Sequence, residues 1–254
     1  MLSLTGSAHA QENPEAIIQR SVEALRHDFE ASPNFDCLER DRVRGGTRTY
    51  EDTMILGSPY QRLVAINGKP LTAAQAAEEQ HKFDSVVAER KAESPQQRAD
   101  RIVKYEKEQK RDHSMMNEMV KAFNFTLLGE TTMHGHQVYF LKASPRPGYQ
   151  PPNMEAQALT GMQGKLWIDK ETFQWVRVEA QVVRPVSIEG FLAQVEPGTR
   201  FELEKTSVAP GVWLPAHFSM RSRAKVLFLF PKNDQEDDVY FNYRKRPSNT
   251  DSRP

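Results

Sequence analysis

Gly164-Lys165-Leu166-Trp167-Ile168-Asp169, followed by Phe173 to Val182, opens a stretch that runs to Phe230 with strand after strand and no helix signal between. Leu166, Ile168, Val176, Val178, Ala180 and Val182 stand at even positions, while Asp169, Arg177, Glu179 and Gln181 stand at odd ones. A period of two over this length means that one sheet face is buried and the other wet. Farther along, Ala216, Phe218, Met220, Ala224, Val226, Phe228 and Phe230 repeat the pattern against His217, Arg221, Arg223 and Lys225. A strand from Trp213 to Phe230 is long enough to have to bend, and Pro215 confines its first part to an edge or a strand start. The pattern predicts an α+β chain built on an antiparallel meander, bent into an open half-barrel with one apolar concave face.

Such a face must be covered, and the N-terminal half supplies candidates. Asn13 and Pro14 start a helix as cap and first residue, and Ile18, Val22, Leu25 and Phe29 give it an apolar stripe. Strands follow over Phe35 to Arg44, Thr47 to Leu56 and Tyr60 to Ile66, the last ending at the Asn67-Gly68 turn. Thr72 with Gln75, then Ser94 with Gln97, are two capping boxes that open a helical hairpin over 72–122. Its centre, Lys104 to Ser114, is charged, and its end carries Met115, Met116, Met119, Val120 and Phe123. Strands resume with Phe125 to Glu130 and His136 to Lys142, and later include Ile188 to Val195, Arg200 to Val208 and Val239 to Lys245. Asn233 to Asp238 reads as a charged hairpin turn. The N-terminal helix and the inserted hairpin would then roof the concavity of a single domain over 11–245.

The chain of 254 residues carries 34 basic and 34 acidic side chains, so no global field favours nucleic acid or an anionic membrane. No apolar run is long enough for a transmembrane segment, and the one cysteine, Cys37, excludes an internal disulfide and a multi-cysteine metal site. Residues 1–10 end in Ala8-His9-Ala10, the small-x-small pattern of signal-peptidase cleavage, and read as the remnant of an export signal, which implies a periplasmic location. Residues 246–254 read as a disordered polar tail.

The residues alone carry no catalytic constellation. No Ser lies in G-x-S-x-G, and Gly161-Met162-Gln163-Gly164 precedes a strand rather than the helix a phosphate cradle needs. His134-Gly135-His136 reads as a turn with both imidazoles in solvent rather than half of a metal site, and no metal or cofactor is expected. The ligand-binding candidates are apolar: Met115, Met116 and Met119 from the pliable end of the hairpin, and Val138, Phe140, Val176, Val178, Phe218, Met220 and Phe228 from the strands.

The run Gly164 to Asp169, with Glu171-Thr172-Phe173 and Val176-Arg177-Val178-Glu179, resembles the G-x-x-x-I-D-x-x-T-x-x-x-x-R-x-E run of exported lipoprotein-sorting-like proteins, the LolA/LolB-like superfamily. Trp213-Leu214-Pro215 followed by Phe218-Ser219-Met220 is similar to their W-L-P-x-x-x-x-M strand. The resemblance covers Asn124 to Tyr243, and it implies a half-barrel closed by helices whose apolar cavity takes acyl chains. No ligand-binding residue of the family is carried over, because the arginine of a typical carrier has no aligned counterpart. Two functions follow as expectations. One is a non-catalytic carrier of lipid or lipoprotein acyl chains. The other is an envelope interaction or stress-sensor module with a filled barrel that binds a protein partner, and it would show no cavity of about 300 Å³ or more.

Overall fold

The computed structural model describes residues 12–188, 193–226 and 230–247, leaving aside the side chains of 112, 113, 115, 155, 188, 193, 225, 226 and 230–233. The expected export remnant therefore lies outside the described residues, as does the tail beyond 247. In chain order the elements are helix α1 (Pro14–Ala31), strands β1 (Phe35–Val43), β2 (Gly46–Ile55), β3 (Ser58–Ile66) and β4 (Lys69–Pro70), and helices α2 (Ala73–Ala92) and α3 (Pro95–Ala122). Strands β5 (Phe123–Met133) and β6 (His136–Pro145) follow, then helix α4 (Met154–Gln157) and strands β7 (Met162–Asp169) and β8 (Trp175–Val182). The chain ends with β9 (Val186–Ile188), β10 (Ala193–Val195), β11 (Arg200–Ala209), β12 (Val212–Val226) and β13 (Phe230–Lys245).

All pairings are antiparallel, and the strands form one open sheet in the order β4-β3-β2-β1-β13-β12-β11-β8-β7-β6-β5, with the small β9–β10 hairpin attached to the end of β12. This is the α+β half-barrel that the alternation predicts. The first and last long strands, β1 and β13, meet inside the sheet, and its two free edges are β4 and β5. Those edges are consecutive in sequence, so the α2–α3 hairpin is the connection between them.

Local chemistry sets the helix limits. The Asn13 side chain accepts from Glu15 N, and both capping boxes form, Thr72 with Gln75 and Ser94 with Gln97. Helix α2 buries no residue; it rests on β3 through Phe83, edge-on to Tyr60 at 5.8 Å. Arginines fasten the hairpin to the β2–β3 turn. Arg90 donates to the carbonyls of Ile55 and Ser58, both at 2.8 Å, and Arg101 donates to Leu56 O at 3.0 Å and Ser58 Oγ at 2.7 Å. Arg246 belongs to the fold rather than to the tail: its guanidinium donates to Met54 O and Pro33 O, and its N–H donates to Asn34 O.

Two strand assignments are corrected. Ile188 to Val195 is not one strand, because Val186–Ile188 pairs antiparallel with Ala193–Val195. Asn233 to Asp238 is not a turn either; it is the middle of β13, paired with Phe218–Arg223 of β12. The segment's polar residues are thus ladder residues, with Asn233 and Gln235 opposite Arg223 and Arg221 of β12.

Among the described residues, no helix is long and apolar enough to cross a membrane.

Candidate functional site

The inward face of the sheet is apolar where α1 and the end of α3 cover it. Ile17, Ile18 and Leu25 of α1, Ala122 of α3, Leu159, and Leu141, Leu166, Ile168 and Val178 of β6–β8 form the main core, with Met116, Met119, Val120 and Phe201 packed against it. Within it, among Ile18, Met119, Phe125, Leu166, Val178 and Phe201, lies an apolar cavity of about 40 Å³. Gly164 forms part of its wall, and a Cβ there would come within 2.8 Å of the Glu179 carbonyl.

The proposed apolar residues divide between the two faces of the sheet. Met119 and Val178 line the cavity, and Met116 packs against the same core. Val138, Phe140 and Val176 lie on the opposite face in a second cluster with Trp167 and Trp213, where the rings of Phe140 and Trp167 stack at 4.9 Å. A β-bulge explains Val176: the register passes from Trp167↔Arg177 to Ile168↔Trp175, so Val176 has no partner and Trp175 takes the inward place instead. Phe218 and Met220 do face inward, opposite Leu203 and Phe201, but they are half-buried and line no part of the apolar cavity. The Met115 side chain and Phe228 lie outside the described residues.

At the base of the apolar half, polar residues of α1 fasten the helix to the sheet. The buried face of α1 runs through Ile17, Ile18, Ser21, Leu25 and Asp28, so the stripe is centred on Ser21 and Asp28 rather than on Val22 and Phe29. Trp175 Nε1 donates to Ser21 Oγ at 3.1 Å. Asp28 Oδ1 accepts from Trp213 N at 2.8 Å and Gln174 Nε2 at 3.0 Å, and Asp28 Oδ2 accepts from the ammonium of Lys205. Asp28 and Lys205 are only 3% and 8% exposed, and burial holds Lys205 below its ordinary pKa against the opposing pull of Asp28. These residues fasten α1 to the sheet.

The motif that carries the family resemblance is turn chemistry. Asp169 Oδ1 accepts from Glu171 N, Thr172 N and Thr172 Oγ1 at 2.7–3.1 Å, closing the β7–β8 turn ahead of Phe173, whose φ is +60°. Asp169 Oδ2 lies 3.1 Å from His136 Nδ1, and the His136 ring meets Trp213 edge-on at 4.8 Å. His136 is thus half-buried and structural rather than solvated, while His134 is exposed at the turn. Arg177 points outward to three glutamates, bonding Glu204 at 2.6 Å and Glu202 and Glu179 at 2.9 Å.

The inward face changes character across β12. Phe218 pairs with Asp238 of β13, Asp238 pairs with Asp41 of β1, and Cys37 of β1 pairs with Asp52 of β2. Glu39 lies between Cys37 and Asp41 on the same face and accepts from Gln61. Burial, then neighbouring carboxyls, raise Glu39 to about 8 and Asp238 to about 6. Burial with Asp52 beside it pushes the Cys37 thiol to about 12, so Cys37 is a protonated, unreactive group.

No protein-family model and no curated protein matches the chain. Among solved structures it is similar to a LolA superfamily protein from Nitrosomonas europaea, at 10% identity and a TM-score of 0.36 over 93% of this chain and 95% of that one. It is also similar, at 10% identity, to a DUF1329 family protein from Desulfovibrio piger, covering 95% and 96% of the two chains with a TM-score of 0.36. A chain of the MucA/MucB complex from Pseudomonas aeruginosa is a third likeness, at 11% identity and a TM-score of 0.24 over 90% and 99%.

Proposed function

We propose that this chain is an exported, periplasmic, non-catalytic binding protein that shelters an acyl chain in the apolar half of its half-barrel. The observation that carries the reading is the cavity itself, lined almost wholly by apolar surface and lying between α1, the last turns of α3 and the concave sheet. Its roof is made of Met119 and Val120, and methionine repacks at low cost around apolar guests. The 40 Å³ present is far below the roughly 300–1,000 Å³ of a ligand pocket, so binding requires the end of α3 to move away from the sheet. Export is supported by Ala8-His9-Ala10 ahead of Gln11. Native mass spectrometry of gently purified protein, followed by organic extraction, tests the reading: a co-purifying lipid of defined mass is expected. A clean apo mass together with no uptake of a fluorescent fatty acid would overturn it.

The small cavity also favours a second reading, an envelope interaction or sensor module whose barrel stays filled. Its gripping surface would be the exposed centre of α3, where Lys104, Glu106, Lys107, Glu108 and Lys110 face solvent. On this reading, deleting 93–114 abolishes capture of the partner and leaves folding intact.

A further inference from the structure

We propose that the outer face of the sheet carries a binding site for an acidic saccharide, built on a row of hydrogen-bond donors that strand register assembles. Gln163 of β7, Gln181 of β8, Arg200 of β11, Arg221 of β12 and Gln235 of β13 are successive cross-strand partners on adjacent strands. Gln181 stands on the same face of β8 as Arg177, so the row looks outward. With strands about 4.8 Å apart, it runs for about 19 Å.

The row is open to a ligand. Two adjoining grooves of about 220 and 280 Å³ meet at Arg200. Gln163 and Gln181 line the first, and Arg221 and Gln235 line the second. Among the described residues, none of the five side chains forms a hydrogen bond or an ion pair. Arg200 and Arg221 lie directly opposite one another, a placement of like charges that destabilises a ladder. The acids bordering the grooves are engaged elsewhere. Glu179 and Glu202 bond Arg177 at 2.9 Å, Asp237 bonds His217 and Arg42 at 2.9 Å, and Glu236 pairs with the Asp238 carboxyl. Beside the row, Lys142 and Lys165 are also cross-strand partners, exposed and without an ion pair.

The chemistry of the row selects the ligand. Two adjacent guanidiniums match the paired oxygens of a phosphate, sulfate or carboxylate group. The flanking amides both donate and accept, which suits sugar hydroxyls, and they carry no charge. A small oxyanion would fill only the middle of the row, whereas a short acidic saccharide reaches from Gln163 to Gln235.

The test is calorimetric titration of the full chain with a heparin octasaccharide, compared with neutral maltooctaose and inorganic phosphate. Saturable heparin binding, tighter than that of phosphate, is expected, with none of maltooctaose. Arg200→Gln/Arg221→Gln should weaken it at least about tenfold. Gln181→Leu, which leaves the charge untouched, should weaken it about threefold. The arginine variant removes opposed like charges and should melt no lower than the parent, which separates lost binding from lost folding. No heparin binding up to about 1 mM would overturn the site. An equal loss in the charge-matched variant Arg44→Gln/Arg48→Gln, at the exposed β1–β2 turn, would overturn it in favour of net attraction. Phosphate binding as tight as heparin's, with Gln181→Leu unchanged, would overturn it in favour of a bare oxyanion site.

Discussion

The two halves of the concave face share one sheet, one period and one direction of side chains, yet they hold opposite chemistry. From β5 to β11 the inward positions are Leu141, Leu166, Val178 and Phe201, and helices cover them. Across β12 the corresponding positions of β13, β1 and β2 are Asp238, Asp41, Glu39 and Asp52. Phe218 marks the border, facing Leu203 on one side and Asp238 on the other. Alternation thus specifies which residues face inward, while the covering elements decide whether that interior can be apolar. The apolar half has α1, α3 and α4 above it and can exclude water. In the acidic half, burial instead raises Glu39 to about 8 and Asp238 to about 6.

Substitutions at each half sharpen this contrast. The largest effect is expected at the fastening of α1. Asp28→Ala leaves the Lys205 ammonium buried and Trp213 N unbonded, and should destabilise by about 3–5 kcal/mol in urea unfolding. The double variant Asp28→Leu/Lys205→Met should recover much of that loss; equal losses in both would mean that packing, not charge, fixes the helix.

Next comes the apolar floor. Leu166→Ala should cost about 2–4 kcal/mol by enlarging the cavity it lines. The same variant should take up an apolar probe more readily, and a cost below about 1 kcal/mol would show that α3 does not press on this floor.

The smallest effect, of opposite sign, belongs to the acidic half. Asp238→Asn should stabilise by about 0.2–1 kcal/mol by removing the like charge opposite Asp41. The pH dependence follows the same logic. Glu39 titrates near 8 when folded against an ordinary 4.5, so between those values the folded chain holds a proton that the unfolded chain has released. Stability therefore falls as pH rises through that window, and Glu39→Gln should flatten the slope of melting temperature against pH. A slope unchanged by the substitution would remove Glu39 from the account.

Much of this architecture was legible in sequence because it rests on local chemistry. The capping boxes at Thr72 and Ser94, the Asn67-Gly68 turn and the alternation of β6–β8 each carry their own signal. The site was less legible, for identifiable reasons. The bulge at Val176 moves that residue to the outer face without leaving a mark in the alternation of residue types. Val138 and Phe140 are apolar on the outer face, so hydrophobicity alone assigned them to the wrong side. Ser21 and Asp28 sit four residues before and three after Leu25, a spacing that places them on its face, but their polarity hid them from an apolar stripe. The acidic half arises from pairing β1 with β13, strands about two hundred residues apart, which no local pattern encodes.

The most direct test of the apolar half uses the three tryptophans. Trp175 lines the cavity, whereas Trp167 and Trp213 lie on the opposite face. A brominated long-chain fatty acid bound under α3 should quench part of the tryptophan emission in saturable fashion, and Trp175→Phe should remove most of that quenching. No quenching at all, or equal quenching in the variant, would contradict an acyl site on the concave face.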